Sequence, residues 1–395
     1  MINFEFYSPT KVIFGKETEQ QVGAEIKKWG GSRVLIHYGS ASAKKSGLLD
    51  RIIESLKAEG LFYAELGGVV PNPRLGKVYE GIELCKKENI DFILAIGGGS
   101  VIDSAKAIAL GTVNDGDVWD FFLGTRKPGP SVPVGAVLTI AAAGSETSMS
   151  CVITKEEGLL KRGLNIDQNR PKFAIMNPEL TYTLPHYQTG CGIVDIMMHT
   201  MDRYFSNTTA TDFTDRISEA LLQATVKAGT ACIKNPMDYD ARANLMWAGS
   251  VSHNTLTGMG KVTDFAPHQI EHELSATFDV AHGAGLSAIW GHWARYVYKV
   301  NVMKFVQFAV RVWNVEMDFE NPELTALEGI EATERFFSSI GMPINIPQLL
   351  GKSTTAAEMD EMADKATFRG KRLVGFFKQL EAKDIREIYE AANKE

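Results

Sequence analysis

The sequence predicts an α/β N-terminal domain, a parallel sheet flanked by helices, followed by an all-α C-terminal domain. Three observations predict it. Short β-branched runs alternate with helical periodicity through the first half. One of those runs passes directly into Gly97-Gly98-Gly99-Ser100 and then a helix. Beyond "TYTLP" (181–185) the strand signal fades. At 395 residues the chain exceeds what one hydrophobic core usually serves. We therefore expect two domains, 1–187 and 188–395.

The elements follow in order. "RVLIHYG" (33–39) reads as a strand, "SGLLDRIIESLKAEG" (46–60) as an amphipathic helix ending at Gly60, and "LFYAEL" (61–66) as a strand. "LGKVYEGIELCKKENI" is helical in period, and "DFILAIGGGS" is a buried strand running into glycines. Further strands are expected at "VGAVLT" (134–139) and "KFAIMNP" (172–178). "TGCGIVDIMMHTMDRYF", "TDRISEALLQATVKAGTACI", "YDARANLMWAGSVSHNTL" and the segment from Asn321 onward carry helical periodicity. No internal repeat or low-complexity segment interrupts them.

Composition excludes several function classes. With 45% hydrophobic and 23% charged residues the chain is that of an ordinary globular protein. Its net charge of −7 and lack of basic runs argue against nucleic acid or anionic membrane as partners. No apolar run reaches membrane-spanning length, and the first twenty residues lack the basic-then-apolar design of a signal peptide. Cys85, Cys151, Cys191 and Cys232 are scattered with no C-x-x-C pair, which fits free thiols in a reducing cytoplasm.

"ILAIGGGSVIDSAKAIALG" (93–111) places glycines at a strand-to-helix turn. There the backbone can approach a phosphate, and helix amides favour its charge. The pattern is not G-x-G-x-x-G, so the usual dinucleotide fingerprint is absent. Two further loops, "YGSASAKKSG" (38–47) and "TIAAAGSETS" (139–148), lie at expected strand ends, where ligands of α/β sheets bind.

The helical half carries a metal-ligand pattern. Asp195 and His199 are four apart, as are His268 and His272, so each pair shares a helix face. His282 follows just before "GAG". Spacing leaves open whether His272 or His282 completes an Asp/His₃ set, which suits Fe²⁺ or Zn²⁺ alike. His268-Gln269-Ile270-Glu271-His272 also matches the inverted zinc-peptidase signature H-x-x-E-H, a reading that leaves the nucleotide half unexplained. His37, His186, His253 and His292 are taken as structural or exposed. Phe265 and Trp247 are possible pocket walls, with core the simpler place for Trp247.

With these residues in view, the chain resembles the iron-containing alcohol dehydrogenase family, and most its butanol dehydrogenase branch. The resemblance runs nearly end to end through "SPTKVIFGK", "PNP", "GGGSVIDSAK", "AAGSETS", "TYTLP", "DIMMH", "IEHELSA", "AHGAGLS" and "DIREIYEAA". It implies a dehydroquinate synthase-like architecture. It also implies that Asp195, His199, His268 and His282 hold the metal in the cleft between domains, with His272 unligated but close by. The protease match then becomes coincidental. The diphosphate falls on Gly97, Gly98, Gly99 and Ser100. Asp103, Thr139, Ser145, Ser148, Lys161 and Leu184 fall around the ribose and nicotinamide, and Asn72 near the adenine. Gly39, Ser40 and Ser42 fall where the family reads the adenosine ribose. One departure is "TIAAAGSE" in place of the family's "TTAGTGSE", which removes hydroxyls at Ile140 and Ala143.

The implied activity is reversible reduction of an aldehyde to a primary alcohol. The metal polarises the carbonyl, the nicotinamide carries hydride, and His272 with the cofactor ribose relays the proton. No acid stands at 39–42 to repel a 2′-phosphate, and Lys44 and Lys45 follow, so NADP(H) is expected over NAD(H). A homodimer is expected, two-fold pairs being the commonest assembly. The alternatives are a glycerol dehydrogenase-like polyol oxidoreductase, a dehydroquinate synthase-like lyase and a non-catalytic metal-binding protein. Against the lyase, Lys261 is the only lysine or arginine between residues 250 and 290.

Overall fold

The computed structural model describes residues 1–39 and 42–394, in two compact units. One runs from Tyr7 to Thr183. The other joins Met1–Phe6 to Leu184–Glu395. The first residues belong with the second unit because Met1 and Ile2 bond through their nitrogens to the Thr209 and Gly260 carbonyls.

In the Tyr7–Thr183 unit the elements are β1 (Lys11–Phe14), α1 (Val22–Lys28), β2 (Arg33–Tyr38), α2 (Ser42–Lys45), α3 (Leu48–Ala58), β3 (Phe62–Leu66) and α4 (Leu75–Lys87). They continue as β4 (Phe92–Gly97), α5 (Gly99–Val113), α6 (Trp119–Phe122), β5 (Val134–Leu138), β6 (Ser150–Lys155), β7 (Leu160–Asn165) and β8 (Phe173–Met176). Six strands form a sheet in the order β1-β8-β5-β4-β2-β3, every neighbouring pair parallel. β2, β4, β5 and β8 are almost wholly buried, as central strands covered by helices on both faces must be. Phe92 stacks on Phe173 at 5.9 Å in the core between β4 and β8. From β2 the chain moves one way to β3 and the other way to β4 and β5. The ends of β2 and β4 therefore border the topological switch point, where such sheets bind ligands. The sequence reading found β2 to β5 and β8. It passed over β1 and the antiparallel pair β6–β7.

The second unit is helical: α7 (His186–Tyr204), α8 (Asp212–Lys234), α9 (Tyr239–His253), α10 (Ala266–Phe278), α11 (His282–Val297), α12 (Val302–Trp313), α13 (Pro322–Ser339), α14 (Ile346–Leu350), α15 (Ala356–Ala366) and α16 (Ala382–Ala392). Phe205, just past α7, centres an aromatic cluster, 4.4 Å from Phe305 and 5.1 Å from Phe308 between ring centroids. α7 is buried on every side from Thr189 to Tyr204. A helix buried all round is ordinarily apolar throughout, yet α7 carries Asp195, His199, Asp202 and Arg203 inside. No helix among the described residues is long and apolar enough to cross a membrane. All four cysteines are buried and free.

Candidate active site

Buried polar groups need partners, and those of α7 find them on α9, α10 and α11. Asp195, His268 and His282 each bring a ligand atom to within 4.8 Å of the others. Nε2 of His268 and Nε2 of His282 lie 3.8 and 3.9 Å from Asp195 Oδ1. These separations exceed a hydrogen bond and suit three donors around one ion. His199 offers Nδ1 at 3.3 Å from the same oxygen, while its ring packs at 3.9 Å against His253 and 4.5 Å against His268. His199 thus borders the group of three through Asp195.

Asp195 Oδ1, His199 Nδ1 and His268 Nε2 are buried with no hydrogen bond. Leaving such atoms unmatched is costly in a folded interior. A divalent cation would satisfy Asp195 Oδ1 and His268 Nε2, which group with His282, and the donor set of imidazole nitrogens and a carboxylate oxygen suits Fe²⁺ or Zn²⁺. The residues therefore fit the metal. Electrostatics favour positive charge at the same point. Burial works against a charged His268, but the Asp202 and Asp195 carboxylates outweigh it and raise the imidazolium to about 9. Burial, with His253, His268 and Arg203 nearby, holds His199 well below the usual range.

His272 lies one turn past His268 and is half-buried, its ring 5.6 Å from that of His282. With Glu271 and His282 it forms a second set of ligand atoms within 4.8 Å. Phe265, in the left-handed region at φ 62°, sits 5.4 Å from His268 and under the Arg203 guanidinium at 4.6 Å. Trp247 is a correction: it is 49% exposed, so it is neither core nor wall. Among the other histidines, His37 and His292 have structural bonds and His186 is exposed. His253, set aside from the sequence, lies against His199 with its Nδ1 3.0 Å from Arg203. Asp202, which pairs with His268 Nδ1 at 2.6 Å, was missed altogether. The signal was present, since Asp195, His199 and Asp202 stand at i, i+4 and i+7 on one face of α7.

In the α/β unit, α5 starts at Gly99 with Gly98 as its N-cap and no capping side chain. Its first amides are thus presented to an anion. A Cβ on Gly98 would stand 2.2 Å from Ile140 Cγ2, so glycine there lets the 139–148 loop close over the turn. Thr139 is half-buried and bonds through its amide to the Gly97 carbonyl, and Ser100 in the first turn of α5 is half-buried. Asp103, Ser145 and Ser148 have internal roles. Asp103 accepts from the Ser145 hydroxyl at 2.5 Å and from the Val152 amide at 2.9 Å, and Ser148 Oγ accepts from the Ser150 amide. Lys161 donates to Asn72 at 3.0 Å, both residues buried. Gly39 follows β2, Ser42 opens α2 in an exposed position, and Leu184 is half-buried at the start of the helical unit. Ser40 lies outside the described residues. The glycine turn fits a dinucleotide diphosphate.

A parallel sheet with an uncapped glycine turn, and a helical unit with an aspartate and histidines converging, together define a nucleotide-linked metal enzyme class. Residues 9–178 match the model of the iron-containing alcohol dehydrogenases, and residues 189–393 match the C-terminal domain of the same family. The chain is 40% identical to NADH-dependent butanol dehydrogenase A of Clostridium acetobutylicum over 391 residues, covering 98% of this chain and 99% of that protein. It is 33% identical to the NADPH-dependent aldehyde reductase YqhD of Escherichia coli, covering 99% and 100%. Among solved structures, NADH-dependent butanol dehydrogenase A from Thermotoga maritima superposes with a TM-score of 0.96 at 37% identity, covering 100% of this chain and 99% of the other. The chain belongs to the iron-containing alcohol dehydrogenase family.

Proposed function

We propose that this chain interconverts aldehydes and primary alcohols of butanol size with NADP(H), using one divalent ion, Fe²⁺ or Zn²⁺, held by Asp195, His199, His268 and His282. The observation that carries the reading is the convergence of buried donors without hydrogen bonds on Asp195 Oδ1. When bound, the ion would supply Lewis acidity at the carbonyl and the nicotinamide would supply hydride. Asp195 and the three imidazoles would hold that ion in place. Phe265, beside His268, gives that region an apolar wall that excludes water. His272, half-buried and next to the ligands, holds and passes the proton for the alcohol oxygen.

The seat for the cofactor is the start of α5, with the 139–148 loop over it. The preference for NADP(H) is supported by exposed Lys44 and Lys45 on α2 beyond Gly39 and Ser42, with no acid between. Named relatives use either cofactor. Initial rates of butyraldehyde reduction decide the matter, with kcat/KM expected higher for NADPH. A several-fold advantage for NADH would overturn the preference, and no oxidation of either cofactor would overturn the activity.

A homodimer is part of this reading. Ile2, Phe4 and Phe6 are about half exposed, and β1 is an edge strand, features that a second copy would cover. Light scattering on the eluted protein should give twice the chain mass. The four buried free thiols agree with a cytoplasmic setting.

A further inference from the structure

Two carboxylates stand behind the histidines. Asp202 on α7 is 0% exposed and lies 2.6 Å through Oδ2 from His268 Nδ1. Glu271 on α10, also 0% exposed, is bonded to His282 Nδ1. An ionised carboxylate only accepts, so each bond keeps a proton on Nδ1, and in the neutral ring that binds a metal the lone pair is on Nε2. In both rings Nε2 is the atom that faces Asp195, at 3.8 and 3.9 Å. The same arrangement thus occurs twice, on different helices.

Packing supports this arrangement at a cost. The second oxygen of Asp202 is buried with no hydrogen bond, a penalty that helix packing alone gives no reason to keep. Glu271 occupies space that α11 leaves open. A Cβ on Gly285 would come within 2.5 Å of Glu271 Oε1 and 2.9 Å of its Cγ. In "HGAG" His282 and Gly285 are three apart and so share a helix face. One supplies the imidazole, and the other makes room for the carboxylate that orients it.

We propose that Asp202 and Glu271 are positioning residues of the metal centre, fixing the tautomer and the ring orientation of His268 and His282, and that Gly285 is required for Glu271 to do so. The proposal rests on His268 and His282 being ligands. Neither carboxylate touches substrate or ion; each acts through its histidine.

The test is competition of the metal-free protein against a chromophoric chelator for Zn²⁺, with the Co²⁺ absorption spectrum and the unfolding temperature of the metal-free protein read alongside. Asp202→Asn and Glu271→Gln are each expected to bind Zn²⁺ about 10- to 100-fold more weakly. Their Co²⁺ bands should also shift. Should either variant fail to fold, Gly285→Ala reaches the same layer with every ligand and both carboxylates intact, and is expected to weaken Zn²⁺ binding too. Wild-type affinity and an unshifted Co²⁺ spectrum in the variants would overturn the proposal while leaving the ligand set standing. Wild-type protein that takes up neither ion would overturn the ligand set and this proposal together.

Discussion

Lys106 Nζ lies 2.7 Å from both the carbonyl and the hydroxyl oxygen of Ser145, and it also donates to the carbonyls of Ser148 and Ser150. A lysine in a glycine-rich nucleotide motif invites a phosphate role, but this one is fully buried at the side chain and clamps the 144–150 loop from within. Lys106→Met leaves those carbonyls unmatched and is expected to destabilise the protein by about 3 kcal/mol. Chemical denaturation measures that loss. NADPH affinity should fall with it, because the loop that covers the glycine turn loses its anchor. A variant as stable as wild type would show the clamp to be dispensable.

His272 and His268 stand one turn apart on α10, and the account gives them different work. His268→Ala is expected to lose the metal. His272→Ala is expected to keep it and to lose about 100-fold in turnover, in line with removal of a proton relay. Metal analysis beside steady-state rates separates the two. Metal loss in His272→Ala would make it a ligand.

Lys44 stays 57% exposed at its side chain, 3.6 Å from Glu65, and Lys45 beside it is exposed. Reversing both charges, Lys44→Glu with Lys45→Glu, is expected to lower kcat/KM for NADPH by about tenfold, as two exposed charge contacts would allow. NADH kinetics should change little. An equal loss with both cofactors would mean that the lysines do not read the 2′-phosphate.

His37 gives a pH dependence. Burial pushes its imidazole down from 6.5 to about 4, against the opposing bond to the Leu66 carbonyl. Below 6.5 the unfolded chain binds a proton at this residue that the folded chain refuses. The neutral ring's contribution is complete above pH 6.5 and is lost as pH falls toward 4, by about 3 kcal/mol in all. His37→Gln should remove that component. Unfolding free energies of the two proteins between pH 7 and 4 should converge as pH falls, and parallel curves would contradict the assignment.

The buried strands were legible because a central parallel strand is apolar throughout, as "FILAIG" and "VGAVL" are. β6 and β7 were not. Their hairpin turns through Glu156, Glu157, Gly158 and Leu159, and charges line its course, so no period-2 pattern rises above the loop background. Asp195 with His199, and His268 with His272, stood out as i, i+4 pairs. Asp202 shares the face of α7 that carries Asp195 and His199, at i+7 from Asp195, but three residues past His199 it reads as an ordinary polar position, because its burial and its bond to His268 are visible only in the fold. Glu271 was seen only as part of a protease match, since nothing in "HQIEH" tells that it faces His282.

The most direct measurement is NADPH oxidation with butyraldehyde, using protein stripped by chelator and restored anaerobically with Fe²⁺ or Zn²⁺ in separate cuvettes. The account predicts activity that vanishes on stripping and returns with at least one ion. Full activity in protein shown by analysis to hold no metal would contradict it.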